Sequence, residues 1–154
     1  MPAQRILLPY NFTAYEKTAL DFVINTFSKQ QDVTITLFNT YTPVPVVDME
    51  SNPEMRKMRP AVAYFAKELS DKEAGLKFAK QYLVEKAFSD DQVNYIFKKR
   101  EKDIAQEIVG AALEGDYSIL VLSRQPGKVA RLLARSVHNK VLSSLKNITV
   151  CIAM

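Results

Sequence analysis

The 154-residue chain has few glycines: four, of which one, Gly127, lies beyond residue 115. A phosphate-cradling loop uses glycines to bring backbone N–H groups close to the anion, and this chain has little material for one. It has one cysteine, Cys151, and one histidine, His138. No intrachain disulfide can form, and a structural zinc site, which needs several such ligands, is excluded. Cys151 sits in an apolar run and reads as a packing residue. Tryptophan is absent, and no apolar run approaches the length that spans a membrane. The opening stretch Ile6-Leu7-Leu8 is too short for a signal-peptide core, and no small-residue cleavage site follows it. A cytoplasmic protein is expected. From Tyr117 to Met154 there is no Asp or Glu, whereas Arg124, Lys128, Arg131, Arg135, Lys140 and Lys146 all fall there. The last quarter of the chain therefore carries the positive excess, and the first 116 residues are slightly acidic. Such a stretch is either a solvated basic helix face or an anion-binding one.

What is present is ordinary for a globular domain: 47% hydrophobic and 25% charged residues. The length fits one domain over residues 1–154 with a real core. Gln4 to Tyr10 is a short apolar run stopped by Pro9, and it predicts a buried strand. Thr13 with Glu16 three residues on forms a capping box for a helix from Ala14 to Ser28. Leu20, Val23, Ile24 and Phe27 lie on one face of that helix. Val33 to Asn39 predicts a second strand. Tyr41 to Pro60 holds four prolines and predicts a loop. Ala61 to Phe88 is helical in pattern, but Ser70-Asp71-Lys72-Glu73 looks like a second capping box. Two helices, or one sharply kinked near Leu69 to Ser70, are expected there. Val93 to Phe97 is a third strand. Asp103 caps a helix whose apolar face is Ile104, Ile108, Ala111 and Ala112, and Gly115 is expected in the left-handed position that ends it. Ser118 to Leu122 predicts a strand, Val129 to Leu145 a helix, and Ile148 to Ala153 a final strand.

Strands alternating with helices imply an open parallel sheet of five strands covered on both faces. In such folds the ligand crevice lies beyond the carboxyl ends of the strands, which draws attention to Pro9 to Thr13 and Ser123 to Lys128.

Two segments are similar to the universal stress protein family. The first is Arg5-Ile6-Leu7-Leu8-Pro9-Tyr10-Asn11-Phe12-Thr13, where the family has a strand ending in Pro-x-Asp-Phe-Ser. The second begins at Ile119-Leu120-Val121-Leu122-Ser123-Arg124. It continues through Arg131-Leu132-Leu133-Ala134-Arg135-Ser136-Val137 and Lys140-Val141-Leu142 to Ile148-Thr149-Val150-Cys151-Ile152. The resemblance implies a Rossmann-like, adenine nucleotide alpha hydrolase-like sheet with strand order 3-2-1-4-5. It also implies a homodimer, often through the last strand, a role in stress response, and no defined catalytic reaction. ATP-binding members carry Gly-x-x-Gly, nine residues, then Gly-Ser or Gly-Thr. Aligned on Arg135-Ser136-Val137, the glycine positions fall on Leu122, Gln125 and Arg135. Aligned on the fourth strand, the first two fall on Ser123 and Pro126. Only Ser136 matches, and the family's aspartate falls on Asn11, a weaker acceptor for ribose hydroxyls.

The expectation is a regulatory or interaction domain without robust ATP binding and without a confident cofactor. The alternative is a module for a nucleotide, ATP or another adenine nucleotide, or for a phosphometabolite. It would use a crevice between the first and fourth strands built from Pro9, Tyr10, Asn11, Thr40, Val121, Ser123, Arg124, Gln125, Gly127, Lys128, Arg135, Ser136 and Val137. There Arg124, Lys128 and Arg135 would hold an anion by side-chain charge. Catalysis ranks third. His138 has no local Ser partner on its helix face, and Asp90-Asp91 is a turn signal before it is a metal site. Tyr10-Asn11 does not supply the acids of a receiver-type phosphoacceptor. Nucleic-acid binding is disfavoured because Tyr117 is the only aromatic in the basic C-terminal stretch. Tyr15, Phe22, Phe27, Tyr64, Phe65, Phe78 and Tyr82 are expected in the core.

Overall fold

The chain is described by a computed structural model over residues 3–10, 16–43, 53–123 and 139–153. Strand β1 (Gln4–Pro9) carries Ile6, Leu7 and Leu8, all fully buried. Successive strand side chains point to opposite faces, so an unbroken apolar run of this kind suits a central strand covered on both sides. β1 pairs in parallel with β2 (Val33–Tyr41) on one side and β4 (Ile119–Ser123) on the other. β2 pairs with β3 (Val93–Lys99), and β4 with β5 (Thr149–Ala153). The sheet is five-stranded and all parallel, in the order β3-β2-β1-β4-β5. That is the order the family resemblance implied.

Two cores result. Ile6, Leu8, Ile35, Leu37, Val93 and Val121 face α1 (Glu16–Phe27) and α2 (Arg59–Lys86), which supply Leu20, Val23, Leu76 and Leu83. Leu7, Phe38, Leu120 and Leu122 face Ile108 and Ala112 of α3 (Ile104–Glu114) and Val141 of α4 (139–144). Burying each such aliphatic side chain contributes about 1.5–3 kcal/mol. Cys151 is half-buried and packs against the first core, as its apolar surroundings suggested.

Four expectations are corrected. Arg59–Lys86 is one continuous helix of 28 residues, with no break at Ser70. A box residue acts as a cap only where the backbone leaves helical geometry; within a helix, Lys72 and Glu73 are simply good helix formers. The proline-rich stretch is not loop throughout: β2 runs to Tyr41, a 3₁₀ turn occupies Pro53–Met58, and Pro60 lies in the first turn of α2. There its missing N–H costs nothing.

Gly115 is not left-handed, with φ −91°; that role falls to Asp116 at φ 51°. Asp tolerates this region through its short polar side chain. Glycine stands at 115 for space, because a Cβ there would collide with the Tyr117 ring.

Finally, Tyr64, Phe65 and Phe78 are exposed, not core. A 28-residue helix is about 42 Å long, and the nine residues of β2 extend about 30 Å. α2 therefore outruns the sheet, which leaves Tyr64 and Phe65 of its N-terminal half with no strand beneath them. Phe78, in the C-terminal half between the buried Leu76 and Ala79, is exposed because it lies on the helix face turned away from the sheet. Phe22, Phe27 and Tyr82 do pack on the first core, and Tyr15 lies outside the described residues.

The turn from β3 into α3 is fastened by acids. Asp103 caps α3, accepting from the Gln106 N–H at 2.8 Å, and pairs with Lys140 of α4 at 2.6 Å. The Lys140 hydrogen bond, then the Gln106 N–H, hold its carboxyl below the usual value. Glu107, 5% exposed, accepts from the Glu101 and Lys102 N–H groups at 3.0 and 2.9 Å and pairs with Lys98 at 3.0 Å.

Candidate functional site

In the order β3-β2-β1-β4-β5 the strand order reverses between β1 and β4, and the carboxyl ends of those two strands are where folds of this kind take their ligands. Tyr10 follows β1. Its N–H donates to the Phe38 carbonyl at 2.9 Å, continuing the ladder, and its own carbonyl accepts from the Asn39 side-chain amide. Ser123 is the last residue of β4, and its hydroxyl donates to Oε1 of Glu16 at 2.8 Å. Glu16 opens α1 and is completely buried. Partial burial, then the negative charge of Glu16, raises the Tyr10 phenol above its ordinary value. Tyr10, Ser123 and Glu16 thus form one polar cluster across the switch point, with a carboxylate at its centre.

That carboxylate has a local reason to be there. An acid in the first turn of a helix sits at the positive end of the helix dipole.

A second polar rim lies over β2 and β3. Thr40 is 5% exposed, and its hydroxyl oxygen accepts from Nε of Arg100 at 3.0 Å. Arg100 directly follows β3, and its N–H donates to the Tyr41 carbonyl at 2.8 Å. Pro9, Phe38, Asn39, Thr40, Arg100 and Ile104 wall a recess of about 20 Å³, room for a single water. Further out, Thr42, Pro43, Phe65, Glu68, Leu69 and Lys72 line an open groove of about 290 Å³. No group of three or more metal-ligating side chains occurs among the described residues.

Of the residues expected at the crevice, Tyr10 and Ser123 meet through Glu16, while Pro9 and Thr40 share the recess with Arg100. Val121 is fully buried in the core beneath α1 and α2. Asn11, Arg124, Gln125, Gly127, Lys128, Arg135, Ser136 and Val137 lie outside the described residues, as do His138 and the capping residue Thr13. Asp90 and Asp91 form a 3₁₀ turn with Gln92, and Asp90 pairs with Lys80 at 3.3 Å. Two residues were missed. Glu16 was read only as half of a capping box, although an acid just after the first strand of a parallel sheet also stands at the ligand edge. Arg100 ends the basic run Lys98-Lys99-Arg100 at the close of β3, the one sign of it in the sequence.

No helix among the described residues is long and apolar enough to cross a membrane. No curated protein matches the chain. Several solved structures share its fold. The universal stress protein UspA from Lactobacillus plantarum is 14% identical, with a TM-score of 0.63, over 100% of this chain and 99% of its own. The universal stress protein from Archaeoglobus fulgidus in complex with dAMP is 16% identical, TM-score 0.62, over 100% of both chains. A universal stress protein in complex with cAMP is 14% identical, TM-score 0.65, over 99% of this chain and 98% of its own. The model of the universal stress protein family matches residues 2–151. The chain belongs to the universal stress protein family.

Proposed function

We propose that this protein is a regulatory or interaction domain of the stress response, cytoplasmic and homodimeric, which does not hold ATP tightly. The observation that carries the reading is Glu16: a fully buried carboxylate, bonded to Ser123, at the crevice between β1 and β4. A triphosphate placed there meets a negative charge. The chain adds no glycine-rich loop in compensation, since Gly127 is the only glycine after β4. The direct test is thermal unfolding with millimolar ATP, ADP and AMP, each with and without magnesium. The expected shift is below about 1 °C; a ligand at a hundred times its Kd would instead raise Tm by roughly 5–10 °C. A rise of that size with ATP would overturn the reading.

The dimer rests on β5. It lies at the edge of the sheet and pairs only with β4 among the described residues, and Ile152 is 40% exposed. An apolar edge strand offers unpaired backbone groups to a second copy. Light scattering at micromolar concentration should give twice the 17.5 kDa chain mass; a monomer would count against it.

A second reading has its own support. Two proteins of the same fold are solved with cAMP and dAMP. Both ligands are monophosphates, which bring less negative charge than ATP toward Glu16. An adenine mononucleotide in the β1–β4 crevice is the form of nucleotide binding compatible with that acid. A Tm rise with AMP and none with ATP would favour it.

A further inference from the structure

We infer that Arg100 is the anchor of a separate oxyanion subsite on the β2–β3 side of the carboxyl edge, built for a small molecule bearing a phosphate or carboxylate group. The inference goes beyond the reading above, because the subsite can stand whether or not a nucleotide enters between β1 and β4.

The backbone of Arg100 is fixed by its N–H bond to the Tyr41 carbonyl at 2.8 Å, and its side chain by the Nε bond to the Thr40 hydroxyl at 3.0 Å. Thr40 is itself buried, so the planar guanidinium is held at both ends of its reach. Its two terminal nitrogens have no hydrogen-bond or ion-pair partner among the described residues. The nearby acid Glu107 is taken by Lys98 and by two backbone N–H groups. A guanidinium oriented through Nε presents its remaining N–H groups as a fork that matches the paired oxygens of a carboxylate or phosphate. Because Thr40 accepts from Arg100, its own hydroxyl proton remains able to donate. The other walls are the apolar Pro9, Phe38, Ile104 and Ile108, together with Asn39, whose side-chain amide donates to the Tyr10 carbonyl. These apolar neighbours limit competing water and strengthen a charge-assisted bond. The recess has room for one water only, so the ligand sits over its mouth, with the oxyanion against the guanidinium and the rest of the molecule outside.

The test is thermal unfolding at fixed ionic strength, titrating inorganic phosphate and, separately, succinate against a chloride control. It is run on the wild-type protein and on Arg100→Gln and Thr40→Val. At ten times its Kd the bound anion should raise the wild-type Tm by about 3–6 °C over chloride. Arg100→Gln should abolish the rise, and Thr40→Val, which keeps the charge but frees its orientation, should weaken affinity several-fold. A response to phosphate alone assigns a phosphorylated ligand, to succinate alone a carboxylate, and to both an oxyanion site indifferent to shape. An equal rise in Arg100→Gln, or no rise with either anion, overturns the subsite. Nucleotide shifts measured on the same variants keep the two ideas apart. An AMP response that survives Arg100→Gln belongs to the β1–β4 crevice.

Discussion

Glu107→Ala should lower the stability of the domain by about 3 kcal/mol, roughly 6–12 °C in Tm. The side chain is a hub: one oxygen accepts from the Glu101 and Lys102 N–H groups, and the other pairs with Lys98 at 3.0 Å. Truncation strands two part-buried backbone donors at the turn between β3 and α3, and hydrogen bonds to a charged acceptor are the stronger kind. The ion pair itself contributes the smaller share, because the Lys98 side chain is 44% exposed and solvent screens it. Glu107→Gln keeps an oxygen for the two N–H groups and should cost about 1 kcal/mol.

The pH dependence of the same site separates charge from shape. Burial alone would raise the Glu107 carboxyl, but the bonds from Lys98 and the two N–H groups outweigh it and hold the carboxyl below its ordinary 4.5. Its stabilisation is therefore complete above that value and is lost as pH falls through the lower folded value. Lys98 is raised above 10.5 by Glu107, so its part is complete below 10.5 and is lost as pH rises through its folded value. Urea unfolding from pH 3 to 7 should show a steeper acid loss for wild type than for Glu107→Gln. Parallel curves would mean that the carboxylate is not the acceptor that holds this turn.

The order of elements was legible in the sequence because each element carries its own signal. Ile6-Leu7-Leu8 can hardly be other than a strand buried on both faces, and Asp103 before Ile104 announces a helix start that the Gln106 bond bears out. The errors came where a local pattern has two physical meanings. Ser70-Asp71-Lys72-Glu73 can cap a helix or continue one, and the choice depends on whether the flanking turns are anchored. Here Leu76, Ala79 and Leu83 bind one long helix to the sheet. Helical spacing placed Phe65 and Phe78 on α2 but did not reveal that the helix overhangs the strands at Phe65, nor which of its faces meets the sheet at Phe78. At the site, Tyr10 and Ser123 were legible as strand ends. Their link was not, because Ser123 and Glu16 are 107 residues apart in sequence and meet only through the parallel pairing of β1 with β4. The same holds for Arg100, which reaches Thr40 across 60 residues.

Glu16→Gln should raise nucleotide affinity above that of the wild type. The amide keeps an oxygen for the Ser123 hydroxyl, so the junction of α1 with β4 stays closed, while the charge at the crevice is removed. A phosphate charge about 6 Å from a carboxylate, at an effective dielectric of about 20, is repelled by roughly 3 kcal/mol. Relief of half of that corresponds to about a tenfold gain in affinity, and relief of all of it to more than a hundredfold. The gain should be larger for ATP than for AMP, since the longer phosphate chain carries more charge toward the site. Ser123→Ala is the control. It removes the hydroxyl that donates to Glu16 but leaves the carboxylate, so nucleotide affinity should not rise. The Tyr10 phenol reports independently, because part of its upward shift comes from Glu16. Spectroscopic titration should show Tyr10 ionising at lower pH in Glu16→Gln, with burial alone left to raise it. If that titration moves as expected while ATP and AMP still fail to bind, then the acid is not what keeps nucleotide out. The cause would then lie in the missing glycines after β4.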